Sequence, residues 1–312
     1  MNTNNYIIKA KENKKDEFYT SYETIEKEVN EYLRDNKDLF RDKVVFCPCD
    51  SEESNFYKFF KFNFKLLGLK KLIATSYNPL GNGTKIELTS KESKTSLRGN
   101  GDFRSFEVQS IEADFIITNP PFSLFRPFMD WLFRSKKKFL VLGHLLACGY
   151  KDIYPKIVSN ELWLGRTIHN GGAFFQVPDD YPLEAKEFIV KDSKKYINVK
   201  GVRWFTNIDY NRNNYNLELK TFEENSKTHT YIKYDNFDAL EIPKTKLIPK
   251  DYEGLMGVPL SFLDKFNNKQ FRIVLSNIWN QHLRVQNKQV FKRVIIQKII
   301  NTLKEDSTNE YT

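Results

Sequence analysis

The strongest constraint on the fold is a place where an apolar run is cut off. Residues 113–118, Ala113-Asp114-Phe115-Ile116-Ile117-Thr118, are rich in β-branched and aromatic side chains, and Asn119-Pro120-Pro121-Phe122 ends them. A short run of this kind reads as a strand buried on both faces, as strands are in parallel sheets. Neither proline has an N–H, so the ladder cannot continue past Asn119. In open α/β folds ligands bind where such strands end.

Those four residues suit chemistry on the exocyclic amine of a planar base. Such an amine is a poor nucleophile because its lone pair is delocalised into the ring. Two acceptors aimed at its N–H bonds favour the pyramidal nitrogen and the positive charge that develops during attack. The Asn119 side-chain oxygen and the Pro120 carbonyl are candidates for those acceptors, and Phe122 for stacking on the base. The plainer alternative is a strand followed by a Pro-Pro turn, with Phe122 in the core.

The flanking pattern supports an α/β fold with a mainly parallel sheet. Val44-Val45-Phe46-Cys47-Pro48-Cys49-Asp50 reads as a strand ending in a polar turn. Ser54 is placed to cap a helix over 55–67 that Gly68 stops. A helix over 22–40, strands at 71–77, 139–142 and 202–207, and a helix over 124–134 continue the alternation. A further helix at 150–159 and strands near 162–166 and 173–177 extend it. Phe125, Phe128, Met129 and Leu132 share one face of the helix at 124–134. Residues 78–100 have weak periodicity and read as a loop. The character changes after 209, so 1–209 is expected to be the catalytic domain and 210–312 a second region. In that region 270–304 reads as a basic amphipathic helix. Residues 1–15 are polar and expected to be mobile.

Net charge of +9 over 312 residues favours a polyanionic partner such as DNA or RNA. Cys47, Cys49 and Cys148 are no disulfide framework, which fits a reducing cytoplasm. With four scattered histidines they make no zinc ligand set. No apolar run approaches the roughly 20 residues of a membrane span, and no signal-peptide core precedes residue 16.

A methyl transferred to an amine needs a donor, and S-adenosylmethionine binds at the edge of an α/β sheet. No Gly-x-Gly-x-x-Gly fingerprint follows the first strand. Asp50 is placed to hold a methionine amine. Attack by an amine needs no covalent intermediate, which argues against a cysteine nucleophile in Pro48-Cys49. Asp102, in Gly101-Asp102-Phe103, is placed to accept from the adenine amine of the donor, with Phe103 packed on its ring. A surface Asp–Gly turn is the plainer reading.

The ordered strings Asp16-Glu17-Phe18-Tyr19-Thr20, Cys47-Pro48-Cys49-Asp50, Gly101-Asp102-Phe103-Arg104-Ser105 and Thr118-Asn119-Pro120-Pro121-Phe122-Ser123-Leu124-Phe125 resemble the EcoRI-type adenine-specific DNA methyltransferases. The likeness continues through Trp163-Leu164-Gly165, Trp204-Phe205-Thr206-Asn207 and Lys233-Tyr234-Asp235-Asn236. It runs on to Met256-Gly257-Val258-Pro259 and Phe262-Leu263-Asp264-Lys265-Phe266, so it covers about 16–275.

The resemblance implies a Rossmann-like, S-adenosylmethionine-dependent N6-adenine methyltransferase with target recognition mostly after the catalytic motif. It assigns Phe18, Tyr19, Thr20, Cys47, Pro48, Asp50, Asp102 and Phe103 to the cofactor. It assigns Asn119, Pro120, Pro121 and Phe122 to catalysis, with no metal. Residues 78–100, 179–200, 210–230 and 276–312 match no motif and are where base reading is expected to differ. Double-stranded DNA is the expected partner, with a flipped adenine as substrate and a separate endonuclease as the counterpart of a cytoplasmic monomer. The alternatives are an RNA or protein-glutamine substrate, or a DNA-binding protein with a decayed site.

Overall fold

The structure is a computed structural model and describes residues 19–169, 171–177, 188–191, 193–210, 216–274 and 282–299. The mobile N-terminus expected over 1–15 and the cofactor residue Phe18 lie outside the described residues. The chain forms two compact units, 1–211 and 212–312.

The first unit opens with β1 (Tyr19–Thr20) and α1 (Tyr22–Asp35), then β2 (Val44–Pro48), α2 (Asn55–Phe62) and β3 (Lys71–Ser76). A hairpin of β4 (Thr84–Leu88) and β5 (Glu92–Ser96) follows, then α3 (Phe106–Gln109), β6 (Phe115–Thr118), α4 (Phe125–Ser135) and β7 (Lys138–His144). The unit continues through α5 (Tyr154–Val158), β8 (Trp163–Leu164), β9 (Ala173–Val177), β10 (Phe188–Lys191), β11 (Lys194–Val199) and β12 (Val202–Thr206).

The main sheet runs β5-β4-β3-β2-β6-β7-β12-β8. Its centre, β3-β2-β6-β7, is parallel. The strands on either flank join antiparallel. The fold is therefore α/β with a mixed sheet, which corrects the expectation of a mostly parallel one. The correction comes from both flanks: β12 and β8 run antiparallel on one, and on the other residues 78–100, expected as a loop, form the β4–β5 hairpin. All of β5 is exposed, and in β4 only Ile86 is buried. Without an inward-facing row there is no alternation to read, and a charged, short edge strand of this kind shields a sheet from further pairing.

The central strands and their helices follow the sequence closely. Ser21 caps α1 and Ser54 caps α2, each accepting from the backbone N–H three residues on. Gly68 turns the chain after α2 at φ +63°. Phe125, Phe128, Met129 and Leu132 are all buried along α4. A second, antiparallel sheet, β1-β9-β11-β10, lays Phe175, Val177, Ile197 and Val199 into the same core as Trp204 and Phe56.

One charged residue in this core has a structural job. Glu28 is fully buried on α1. Its carboxylate accepts from Tyr32 Oη (2.9 Å), Arg166 N (2.9 Å), Thr167 N (2.8 Å) and Thr167 Oγ1 (2.6 Å). Burial raises its pKa and those donors oppose the rise. Gly165 makes the approach possible: a Cβ there would lie 2.2 Å from Glu28 Oε1.

The second unit is built on a sheet ordered β13-β14-β15-β19-β16. After α6 (Phe222–Ser226) come β13 (Ile232–Lys233), β14 (Leu240–Glu241), β15 (Met256–Pro259) and β16 (Phe271–Ile273). A small hairpin, β17 (Arg284–Val285) and β18 (Lys288–Gln289), precedes β19 (Arg293–Lys298). The helix expected over 270–304 is thus replaced by strands among the described residues. Val294, Ile295 and Ile296 are consecutive and buried, which suits a central strand and no helical stripe. Phe291, on the inner face of the helical reading, is 65% exposed.

Glu28→Ala leaves four donors around an empty pocket. Denaturant unfolding is expected to show a loss of about 3 kcal/mol. A loss below about 1 kcal/mol would contradict the role given to Glu28.

Candidate active site

The candidate site forms where β2, β3 and β6 end side by side. Pro48 is the last residue of β2, paired with Thr75 of β3. Cys49 then takes φ +66°, a left-handed conformation uncommon for a side chain with a Cβ. The reversal brings Asp50 back over the sheet edge, where its N–H donates to Thr75 O at 2.8 Å. Asp50 is buried, and Ser54 at the start of α2 also hydrogen-bonds its carboxyl.

Thr118, the last residue of β6, joins this loop to the Asn-Pro-Pro-Phe segment. Its Oγ1 lies 2.5 Å from Pro48 O and 2.6 Å from Asp50 Oδ2. A hydroxyl has one proton, and the carbonyl can only accept. The Thr118 proton serves one acceptor at a time, Pro48 O or the Asp50 carboxylate, and donation to Asp50 favours the ionised form. Burial raises the Asp50 pKa to about 7, while Thr118 and Ser54 pull it down. Asp50 therefore changes charge in the neutral range and would gain from a cation placed beside it.

The chain leaves Thr118 through Asn119, whose Oδ1 is buried, then Pro120 and Pro121. Leu124 N donates to Pro121 O (2.9 Å), and a 3₁₀ turn, Phe122–Leu124, feeds α4. Phe122 is 8% exposed and belongs to the core cluster, so most of its ring follows the plainer alternative. Tyr19 is the more open aromatic, 45% exposed. β1 is tied to the site by Asn55 Nδ2, which donates to Thr20 O at 2.7 Å.

Asp102 approaches from the β3 side. Gly101, at φ +80°, sits so close to the end of β3 that a Cβ would lie 2.3 Å from Ser76 O. Asp102 lies close enough to Cys49 for its charge to raise the thiol pKa. Arg104 grips the Asp102 carboxylate through Nε (2.9 Å) and Nη2 (2.5 Å), and its N–H adds a third bond at 2.8 Å. These contacts hold Asp102 below the usual carboxylate range, so it stays an ionised acceptor.

Two expected cofactor residues face inward. Phe103 is 3% exposed, 4.8 Å from Phe128 and stacked at 6.1 Å on Trp131. α4 presents its own aromatics to that ring. Cys47 is fully buried, so it offers the edge only backbone. Burial pushes up the thiols of both Cys47 and Cys49, the opposite of a nucleophilic cysteine.

The edge also contains residues outside the sequence motifs. Thr75, Asn55 and the role of Thr118 carry no sequence signal of their own. The Thr20 and Thr75 hydroxyls are buried and make no hydrogen bond among the described residues. Each such hydroxyl costs about 1–3 kcal/mol, which a polar ligand would offset. A buried carboxyl and two buried hydroxyls on the strands beside it are the group types that suit the amino and carboxylate ends of an amino acid. The methionine half of S-adenosylmethionine fits that description. Among the described residues no group of three or more His, Cys, Asp or Glu side chains could hold a metal ion.

A family model described as adenine-specific methyltransferase EcoRI matches residues 6–311. The Type II methyltransferase M.MpnI of Mycoplasma pneumoniae is 42% identical over 86% of this chain and 85% of its own. The Type II methyltransferase M.EcoRI of Escherichia coli is 39% identical over 95% of this chain and 97% of its own. M.MgeORF184P of Mycoplasma genitalium, also a Type II methyltransferase, is 41% identical over 86% and 85%. No solved structure matches the chain.

The Asp50 carboxyl is expected to titrate near pH 7 when followed by carbon-detected NMR. Thr118→Val removes a contact that lowers its pKa, so the midpoint should move higher. A midpoint near 4, or no movement in the variant, would contradict the geometry described.

Proposed function

The chain belongs to the EcoRI-type adenine-specific methyltransferase family, and on that premise we propose that it methylates N6 of one adenine within a specific sequence of duplex DNA. The observation that carries the reading is the hydrogen-bonded join between Asp50 and Thr118, which sets Asn119 beside a cation-seeking carboxyl. The parallel centre β3-β2-β6-β7 is read as the Rossmann-like part of the fold.

S-adenosylmethionine, when bound, supplies an electrophilic methyl group on a sulfonium. In this reading Asp50 would hold the methionine ammonium as a carboxylate, its own proton leaving to solvent. Thr20 and Thr75 donate to the carboxylate. Asp102, kept ionised by Arg104, accepts from the amine of the cofactor's adenine.

The substrate amine is out of reach inside a stacked duplex, so the target adenine is extruded into the site. Tyr19 offers the open aromatic face for it, and Phe122 forms the wall behind. Asn119 Oδ1 and Pro120 O accept from the two N–H bonds and draw the lone pair out of the ring. Pro120 and Pro121 bring no N–H to compete for either acceptor, and they hold the loop at fixed φ. Alignment and electrostatics supply the rate, and the amine proton leaves to water. The site-specific modification of host DNA against a separate endonuclease, by a cytoplasmic monomer, completes the reading.

Expression in a methylation-free bacterial host, followed by single-molecule sequencing of its DNA, tests this directly. N6-methyladenine at one short motif is expected. Asn119→Ala should lower the single-turnover rate at least about 100-fold while S-adenosylmethionine still binds. Turnover retained in that variant would overturn the assignment of Asn119.

A further inference from the structure

Two family-like motifs, Lys233-Tyr234-Asp235-Asn236 and Met256-Gly257-Val258-Pro259, have no part in the site above. In the second unit they act together. Tyr234 is buried, with its hydroxyl on the Glu241 carboxylate and 3.3 Å from Gly257 O. Gly257 is needed there, since a Cβ would lie 2.2 Å from the Tyr234 hydroxyl. Arg293 grips the same Glu241 through Nη2 (2.5 Å) and Nε (3.1 Å).

The two residues after Tyr234 hold the hairpin of β17 and β18. Asp235 N donates to Arg284 O (2.8 Å), and the Asp235 carboxylate accepts from Gln286 N (3.2 Å) and Asn287 N (2.7 Å). Asn236 accepts from Arg284 N (3.0 Å) and donates to His282 O (3.0 Å). Gln286 and Asn287 are the two turn residues, at φ +51° and +62°. Positive φ at both is the mark of a type I′ turn, where Asn-Gly or Gly-Gly forms with the least strain. A glutamine there is strained, and Asp235 stabilises the turn by taking both N–H groups. Strain kept at an exposed tip points to a use for the side chain.

The hairpin's surface shows what that use is. Val285 and Val290 pack on the core beneath, while Arg284, Gln286, Asn287, Lys288 and Gln289 are exposed. Residues 282–292 contain Arg284, Lys288 and Lys292 and no acidic residue. A two-stranded ribbon fits the major groove of B-DNA. Arginine pairs bidentately with guanine there, and asparagine or glutamine with adenine. Lysine on the same ribbon suits phosphate contact.

We propose that the hairpin at 284–289 is a base-reading element that enters the DNA major groove, with Asp235 and Asn236 as its positioning residues. Arg284, Gln286 and Asn287 then set part of the recognition sequence. This rests on the DNA methyltransferase reading above, and it explains why the motif residues lie beneath the hairpin and the unmatched residues at its tip.

The test uses the full chain in a methylation-free host and two variants. Gln286→Gly with Asn287→Gly removes both amides and keeps the left-handed turn. Arg284→Lys keeps the charge and removes the fork. In each, methylation should spread to sites that differ at one or two positions of the wild-type motif. Competition binding should show discrimination against singly altered duplexes reduced about 10- to 100-fold. S-adenosylmethionine affinity, read by calorimetry, should stay unchanged. The same motif with the same discrimination in both variants would overturn the inference, as would an equal loss of affinity for every duplex. A wild-type chain that modifies no adenine overturns the transferase reading and this inference with it, a result distinct from either variant's.

Discussion

The Thr118 hydroxyl is the contact on which the candidate site depends. It touches the Pro48 carbonyl and the Asp50 carboxyl with a single proton between them. The strand that delivers Asn119 and the strand that delivers Asp50 are thereby held in register at the level of side chains as well as backbone. Whatever Asp50 binds is sensed at the residue directly before Asn119. Burial, opposed by the Thr118 and Ser54 hydrogen bonds, keeps Asp50 near its titration point.

The remainder of the first unit serves that edge. The parallel strands bring three chain ends to one side, as open α/β sheets do. Cys49 and Gly101 reverse the chain in left-handed conformations, so both acidic residues fold back over the sheet. The buried Glu28 does comparable work elsewhere, replacing an apolar contact with four donors that fix residues 165–167 to α1. In the second unit Asp235 and Asn236 fix a strained turn by the same means. Short acidic or amide side chains hold loops in place in all these cases, while apolar burial supplies the stability.

What was legible in the sequence follows from local physics. The runs at 44–48 and 115–117 are apolar, and Ser54 and the proline pair mark the ends of their elements, whereas the helix expected to run to Gly68 stops at Phe62. The four motif strings gather in their described residues, which begin at Tyr19 and so leave out Asp16, Glu17 and Phe18. The misses have one cause: they depend on partners far away in sequence. The β4–β5 hairpin has almost no buried row, so nothing in 78–100 announces strands. Val294, Ile295 and Ile296 suit a helix or a strand until β15 and β16 are found on either side of them. The packing of Phe103 on Phe128 and Trp131 is likewise not announced by its neighbours in the chain. Thr75 carries no motif, and only its pairing with Pro48 places it at the edge.

Asp50, a buried carboxyl with a pKa raised to about 7, is expected to lose its remaining proton to solvent when the cofactor's amine binds beside it. Calorimetric titration with S-adenosylmethionine at pH 6.5, in two buffers of different ionisation heat, measures the protons released on binding. A carboxyl with a pKa of about 7 that ionises on binding should release about three-quarters of a proton at that pH, and Asp50→Asn should release none. Binding by the wild-type chain with no proton released, or with one taken up, would contradict it.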